Sequence, residues 1–219
     1  MTKEEYLKKL AEDSDWAPGW DAIDAVFDEL YPGQEPSHYA TKIESRAMFG
    51  GNEYLDGFSY YKNDKGYLHV VTYGMSELYG DENVYGKEYS RWGYEMTMKL
   101  KDDFPYNPVW VANMMSNLAR YTYTTERFFE AEQYVGGNGE PICTGSDSKI
   151  SGLILVNDTT AKTQDTVHGR LEFIQLVGIT TDEVNAIKED LGNLKKILEA
   201  MKKDNPELIT DMKRDFNYV

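Results

Sequence analysis

Several features that mark secreted and membrane proteins are scarce or absent in this sequence. Among its 219 residues there is one cysteine, Cys143, so an internal disulfide is impossible and the chain is typical of an intracellular protein. The charged N-terminus has no apolar stretch typical of a secretion signal. No run approaches the roughly 18 apolar residues of a membrane span. We therefore expect a cytoplasmic protein that has no membrane as a partner.

Positive charge is also scarce. Lys and Arg total 23 against 38 Asp and Glu, which gives a formal net charge of −15. A nucleic-acid-binding domain needs a basic surface, so we predict no nucleic-acid partner. An acidic surface speeds association with basic proteins, although plain solubility explains the same charge.

Motifs for catalysis or metal binding are missing as well. The three histidines, His38, His69 and His168, are scattered and show no metal-ligand spacing. Gly139 and Gly145 are separated by five residues, whereas a phosphate-binding loop needs four. Cys143 has no basic neighbour in sequence that would lower its pKa. We predict no cofactor, no metal site and no enzyme activity.

What the sequence does contain is a clear pattern of helices and strands. Apolar periodicity, caps and turn residues predict helices over 3–13, 20–31 and 107–125 and one starting at 180, and strands over 38–43, 58–73 (a hairpin turning at 63–66), 92–101, 149–158 and 169–180. This order predicts a mixed α+β (α/β) domain with a mixed, mostly antiparallel sheet and packed helices. The predicted parts are an N-terminal helix or extension (1–18), the main domain (19–183) and a C-terminal helix docked on it (184–219).

The strand over 92–101 has the clearest alternation in the chain. Apolar residues predict one buried face, whereas Glu95, Thr97, Lys99 and Lys101 form the other, which meets water or another layer. We expect Glu95 to lie on a solvent-exposed strand face, and the Glu77 carboxylate to bind backbone amides of the loop that precedes this strand. In the last helix, a capping box at Thr180 starts one continuous apolar seam: Val184, Ile187, Leu191, Leu194, Leu198 and Met201.

The stretch "HVVTYGMSELYGD" (69–81) runs from a strand into a loop rich in tyrosine and acid. Its glycines permit backbone conformations that other residues resist, so Leu78 can point inward and Tyr79 outward. Tyr73 is expected to cap the core, and the alternative for Tyr79 is that it does the same. Tyrosines there offer rigid amphipathic area and carboxylates supply charge, a composition suited to holding a basic protein. The candidate binding residues are Tyr79, Asp81, Glu82, Tyr85, Glu88 and Tyr89.

A series of motifs in one order resembles the Suppressor of fused (SUFU) family in its stand-alone bacterial type. The motifs are "GWDAID" (19–24), "HYATKIESRAMFGGNEYLDGFSYYKN" (38–63), the stretch at 69–81, "GYEMTMKLK" (93–101), "PVWVANMMSNLARYTY" (108–123) and "GRLEFIQLVGITTDE" (169–183). The resemblance implies a mixed α/β domain without known catalytic residues or metal. Animal members hold a transcription factor by gripping a short peptide between this domain and a second lobe. Many stand-alone bacterial members are proposed to be immunity proteins.

The resemblance carries Tyr79 over as a peptide-gripping position, while the family's acidic position in the next loop has no clear counterpart here. The second lobe is not expected after the last helix, which favours the bacterial type. We therefore predict a non-enzymatic protein-binding domain, most concretely an immunity protein that neutralises a basic toxin by stoichiometric binding. Two alternatives stay open: a general peptide-binding scaffold that uses an open sheet edge, and an enzyme that uses Glu77, Glu95 and His69.

Overall fold

A single eight-stranded sheet forms the centre of the computed structural model, which describes residues 1–219. Its strands run in the order β1-β2-β3-β4-β8-β6-β5, with β7 paired to β8. The bounds are β1 Ser37–Ala40, β2 Gly57–Asn63, β3 Tyr67–Tyr73, β4 Tyr89–Lys101, β5 Tyr134–Gly136, β6 Ile150–Asn157, β7 Gln164–Thr166 and β8 Gly169–Thr180. Only β4 and β8 pair in parallel. The predicted mixed, mostly antiparallel sheet is confirmed.

Five α-helices pack on this sheet: α1 Lys3–Glu12, α2 Pro18–Leu30, α3 Val109–Thr125, α4 Thr181–Glu189 and α5 Gly192–Asp204. Two short 3-10 helices cover Ile43–Ser45 and Ala47–Phe49. None of the helices combines the length and the apolar character that crossing a membrane requires. The mixed α+β class predicted from the sequence is confirmed.

Alternation along the strands divides the core between the two faces of the sheet. Met96 and Met98 of β4 pack in one apolar cluster with Met115 of α3. Side chains of the opposite face form a second cluster around Phe27 of α2 and a third cluster around Ile197 of α5. Because both faces of the central strands are covered, even polar residues on β4 are enclosed.

The polar face of β4, expected to meet water or another layer, is covered by another layer, and the expectation that Glu95 lies on a wet face is wrong. Of the four polar residues on this face, Glu95, Thr97 and Lys99 are fully buried and Lys101 at the strand end is exposed. The alternation itself is correct, since these residues do point away from Met96 and Met98. The second layer that covers them comes from the other side of the sheet, so the sequence of β4 alone did not reveal it.

The predicted continuous C-terminal helix is also wrong, because it breaks after Glu189. The capping box that starts α4 is present, with Thr180 and Glu183 exchanging hydrogen bonds. At the break, the amide of Gly192 donates to Asp190 Oδ1 at 2.8 Å and begins α5. Leu191, which was placed in the apolar seam, is therefore 69% exposed.

Both ends of the chain are tied to the sheet region. The buried Tyr6 of α1 places its hydroxyl 3.0 Å from His168 Nε2. Near the other end, the amide of Thr210 donates to the carbonyl of Lys99 at 2.7 Å. The division into parts at 1–18, 19–183 and 184–219 stays a prediction.

Candidate functional site

The tyrosine loop, defined as residues 74–89, begins where β3 ends. Gly74 has φ +126°, and a Cβ at this position would lie 3.0 Å from the amide nitrogen of Asp56. A residue with a side chain is disfavoured there by both the backbone angle and the close approach. The glycine break in the sequence thus marks a required change of direction at the start of the loop.

A buried carboxylate holds the first turn of this loop. Glu95 Oε1 accepts from the amides of Gly74 and Ser76 at 3.0 and 2.9 Å and from Ser76 Oγ at 2.6 Å. Its Oε2 accepts from Thr72 Oγ1 at 2.6 Å and from the amide of Met75 at 3.3 Å. Burial raises the pKa of the Glu95 carboxyl, and the hydrogen bonds from Ser76 and Thr72 oppose that rise. Glu95 is therefore a clamp for the loop.

The loop amides were expected to bind Glu77, and this expectation is wrong. Glu77 contributes its main chain instead: its amide donates to Ser90 Oγ at 2.9 Å, and its carbonyl lies 2.9 Å from His168 Nδ1. Burial lowers the pKa of His168, which keeps the ring neutral between Glu77 and Tyr6.

Backbone contacts fix the middle of the loop against the start of α2 and the residues just before it. The carbonyl of the buried Leu78 accepts from the amide of Gly19 at 2.9 Å, and the amide of Gly80 donates to the carbonyl of Trp16 at 2.9 Å. Tyr73, just before the loop, is buried and stacks on Trp20 with ring centroids 4.2 Å apart. Leu78 and Tyr73 thus lie inside, as the sequence predicted.

Two candidate binding tyrosines present large exposed surfaces. Tyr79 is 46% exposed and Tyr89 is 47% exposed. The Tyr79 hydroxyl donates to Asp56, which also accepts from Arg46 at 2.8 Å. Burial of part of the ring and the Asp56 carboxylate raise the pKa of Tyr79. The phenol is therefore held by Asp56 while nearly half of the residue remains exposed.

The other candidate residues surround the same loop with different exposure. Tyr85 is half-buried, packs its ring at a tilt against Tyr6 with centroids 4.9 Å apart, and donates to the carbonyl of Met1 at 2.7 Å, so it supports the loop. Asp81, Glu82 and Glu88 are exposed, and none of them forms an ion pair. Whether the six candidate residues bind a partner stays a prediction.

A cleft that the sequence did not reveal adjoins the end of the loop. A cavity of about 610 Å³ lies between the start of β4 and the residues that follow α3. Tyr89 lines it together with Arg91, Glu126, Phe128 and Glu130. These residues come from separate elements that only the fold brings together, so no sequence motif marks them.

A second polar cluster lies deep in the fold and is closed by its own side chains. Asp158 Oδ2 lies 2.9 Å from His69 Nε2, and Asp158 Oδ1 lies 3.1 Å from Lys99 Nζ. His69 Nδ1 is 2.9 Å from the hydroxyl of Tyr31. Burial lowers the pKa of His69 and of Lys99. Although burial acts to raise the pKa of Asp158, the His69 hydrogen bond and the Lys99 charge hold it well below its usual range.

The residues named for an enzyme alternative are engaged in different places. Glu95 holds the loop, His69 binds Asp158 and Tyr31, and Glu77 anchors the loop through its main chain. No group of three His, Cys, Asp or Glu side chains is arranged to hold a metal ion. Cys143 is buried, and burial raises the pKa of its thiol.

Comparison with known proteins identifies the family. The family model described as "Suppressor of fused protein (SUFU)" matches residues 51–215. This chain belongs to the SUFU family. Over 212 residues it is 32% identical to the Suppressor of fused homologues of Homo sapiens and Mus musculus. That match covers 88% of this chain but 43% of each relative, so the chain spans less than half of their length.

Solved SUFU structures share the fold. A chain of the Sufu-Fu complex crystal structure matches with a TM-score of 0.77 and 25% identity, covering 92% of both chains. Drosophila Suppressor of Fused matches with a TM-score of 0.76 and 25% identity over 92% of this chain and 51% of that one. A SUFU homologue from Neisseria gonorrhoeae matches at 0.60 with 11% identity over 91% and 96% of the two chains, which shows the fold alone.

Proposed function

We propose that this SUFU-family chain is a non-enzymatic domain that binds a protein partner through the tyrosine loop. In its more specific form, the proposal is that the chain is a bacterial, cytoplasmic immunity protein. Its partner is then a basic toxin, which it neutralises by occupying the toxin surface in a stoichiometric complex. No nucleic acid and no membrane take part.

The observation that carries the proposal is a rigidly held loop with half-exposed phenols beside unpaired carboxylates. Hydrogen bonds to Glu95 already hold the start of the tyrosine loop in the free protein. Ordering the loop on binding therefore costs little conformational entropy. Tyr79 and Tyr89 supply exposed aromatic area of the kind that dominates binding energy at interfaces. Asp81, Glu82 and Glu88 add negative charge that a basic partner complements.

The SUFU relatives support the protein-binding part. One matched structure is described as the Sufu-Fu complex, and the likeness to a chain of it covers 92% of this chain. The toxin part rests on the family resemblance and the net charge of −15. The two parts are therefore tested separately.

The binding part is tested with the protein encoded by the neighbouring gene. We expect calorimetric titration to give a one-to-one complex with wild type. The Tyr79→Ala/Tyr89→Ala double variant should bind at least about 30-fold more weakly, the loss expected for interfacial tyrosines. Tyr106→Ala is the matched control, because Tyr106 is 39% exposed and lies outside the loop. Unchanged affinity of the double variant would contradict the proposed site.

The toxin part is tested by expressing the neighbouring protein in cells with and without this chain. We expect that protein to stop growth alone and growth to recover when wild type is present. Recovery should be lost with the double variant and kept with Tyr106→Ala. A harmless neighbouring protein that still forms the complex would overturn the immunity function while leaving protein binding in place.

One observation favours the peptide-scaffold alternative. β1 is an edge strand that pairs only with β2, and all four of its residues are exposed. An open edge can accept an added strand from a peptide. If this edge is the binding site, Tyr39→Ala on β1 will weaken the complex and Tyr79→Ala/Tyr89→Ala will not.

A further inference from the structure

The cleft beside Tyr89 has a shape and a charge that the function proposed above does not explain. We name it the acidic cleft and define it by Tyr89, Arg91, Glu126, Phe128, Glu130 and Glu172, which line a cavity of about 610 Å³. One wall is the start of β4 and the opposite wall is the segment that follows α3. A cavity of this size accommodates a long side chain with its flanking backbone.

Irregular backbone shapes the acidic cleft on both sides. The pairing of β4 with β8 shifts register between Tyr89 and Tyr94, and Arg91 within this bulge has φ 55°. On the other wall, Glu126 ends α3 with φ 58°. A left-handed conformation costs a non-glycine residue about 1 kcal/mol or more. The chain tolerates this cost at two positions that line one cleft.

Aromatic side chains give the acidic cleft an apolar lining that water covers in the free protein. Phe128 is 51% exposed and Tyr89 is 47% exposed. The indole nitrogen of Trp92, a residue that also lines the cleft, is buried and has no hydrogen-bond acceptor. Exposed aromatic rings of this kind are favourable partners for an apolar or cationic group.

The charges around the cleft are predominantly negative. Glu126 and Glu130 are exposed and form no ion pair, whereas Glu172 is paired with Arg170 at 2.8 Å. The guanidinium of Arg91 lies over the ring of Tyr123, 5.0 Å from its centre. Two carboxylates beside exposed rings therefore complement a positive charge.

We propose that the acidic cleft receives an arginine or lysine side chain of the protein partner. The cation lies against the faces of Tyr89 and Phe128, and Glu126 and Glu130 accept its hydrogen bonds. This inference rests on the proposed function and extends it, because it places one positively charged anchor of the partner at a defined point next to the tyrosine loop.

The test needs no partner and uses a short peptide as the probe. The peptide acetyl-Gly-Arg-Gly-amide is titrated into the ¹⁵N-labelled full chain, with the neutral isostere acetyl-Gly-citrulline-Gly-amide as the matched ligand. Trp92 and Gly93 both line the cleft and serve as reporters. We expect the arginine peptide to shift the Trp92 indole and Gly93 amide signals to saturation. The citrulline peptide should bind about tenfold more weakly, because it keeps the shape and loses the charge.

Variants of the protein locate the effect. Glu126→Gln/Glu130→Gln should weaken binding of the arginine peptide about tenfold. Glu140→Gln/Glu199→Gln, which removes two exposed carboxylates elsewhere, should leave it unchanged. Circular dichroism checks that both double variants stay folded. Equal binding of both peptides, equal loss in both double variants, or shifts that spread evenly over the surface would each overturn the proposal.

This test separates the acidic cleft from the proposed function. If the neighbouring gene product binds wild type and Tyr79→Ala alone weakens that complex, while the arginine peptide leaves Trp92 and Gly93 unshifted, the cleft proposal fails and the protein-binding function stands. If the peptide binds in the cleft and the neighbouring product does not bind, the choice of partner fails.

Discussion

Two acidic regions of this molecule use charge in opposite ways. In the buried layer along β4, Glu95 and Asp158 have their oxygens occupied by donors of the same chain. On the tyrosine loop, Asp81, Glu82 and Glu88 face water without an ion-pair partner. The buried carboxylates stabilise the fold, whereas we propose that the exposed ones act on a partner. Substitutions in the two regions should therefore have separable effects on stability and binding.

The largest effect on stability is expected for Glu95→Ala. The change leaves five buried donor groups of the loop and β3 without their acceptor. We expect a loss of about 5 kcal/mol in the free energy of unfolding, measured by urea denaturation. As a control, Glu88→Ala on the exposed loop should change it by less than about 0.5 kcal/mol. Similar losses in the free energy of unfolding for Glu95→Ala and Glu88→Ala would contradict the distinction between the buried layer and the tyrosine loop.

Asp158→Asn should have the next largest effect, about 3 kcal/mol at pH 7, because Lys99 is left as a buried charge without its partner. The pKa of Asp158 is lowered in the folded state, so its stabilisation is complete above the unfolded value near 3.8 and is lost as pH falls below it. Below about pH 4, the difference between wild type and variant should narrow as the unfolded chain takes up the Asp158 proton. Urea denaturation at several pH values below 4 measures it, and a difference that stays constant or grows in that range would contradict the assignment.

A smaller effect, about 1 kcal/mol, is expected for His168→Gln, because His168 links the carbonyl of Glu77 to the hydroxyl of Tyr6. Burial lowers the pKa of His168 in the folded protein. As pH falls below 6.5, the ordinary pKa of histidine, His168 therefore takes up a proton in the unfolded chain before it does so in the folded protein. Stability from this group is present above that pH and is lost as pH falls. The gap between wild type and variant should therefore close between pH 7 and 5, which thermal unfolding at several pH values would show. A constant gap would mean that His168 does not titrate differently on folding.

The smallest effect on folding is expected for Tyr79→Phe. It removes one hydroxyl that donates to Asp56 at a half-exposed position. We expect less than about 0.5 kcal/mol of lost stability by urea denaturation. A loss above 2 kcal/mol would show that Tyr79 belongs to the structural region and would weaken its assignment to the binding surface.

The sequence predicted the fold wherever local periodicity determines structure. The hairpin of β2 and β3, the alternation of β4 and the capping box at Thr180 need only neighbouring residues to be recognised. The burial of Glu95 and Lys99 could not be predicted, because an alternating strand has the same pattern whether water or a second layer covers its polar face. Leu191 was misplaced because Asp190 and Gly192 interrupt an otherwise regular seam.

The candidate site was accessible to sequence analysis only in part. The glycine at 74 and the run of tyrosines mark the tyrosine loop, but the clamp comes from Glu95, 21 residues after Gly74 in an adjacent strand. The acidic cleft gave no signal, because Arg91 and Glu126 adopt left-handed backbone angles without the glycine that usually indicates them. Contacts between residues far apart in sequence determine both the Glu95 clamp and the acidic cleft.

Hydrogen exchange of the chain, alone and in complex with the neighbouring gene product, tests the central claim most directly. If the tyrosine loop binds the partner, amides of residues 79–89 will gain protection in the complex, while those of β1 and α5 will exchange as in the free protein. Protection confined to β1 or α5, with the loop unchanged, would contradict it.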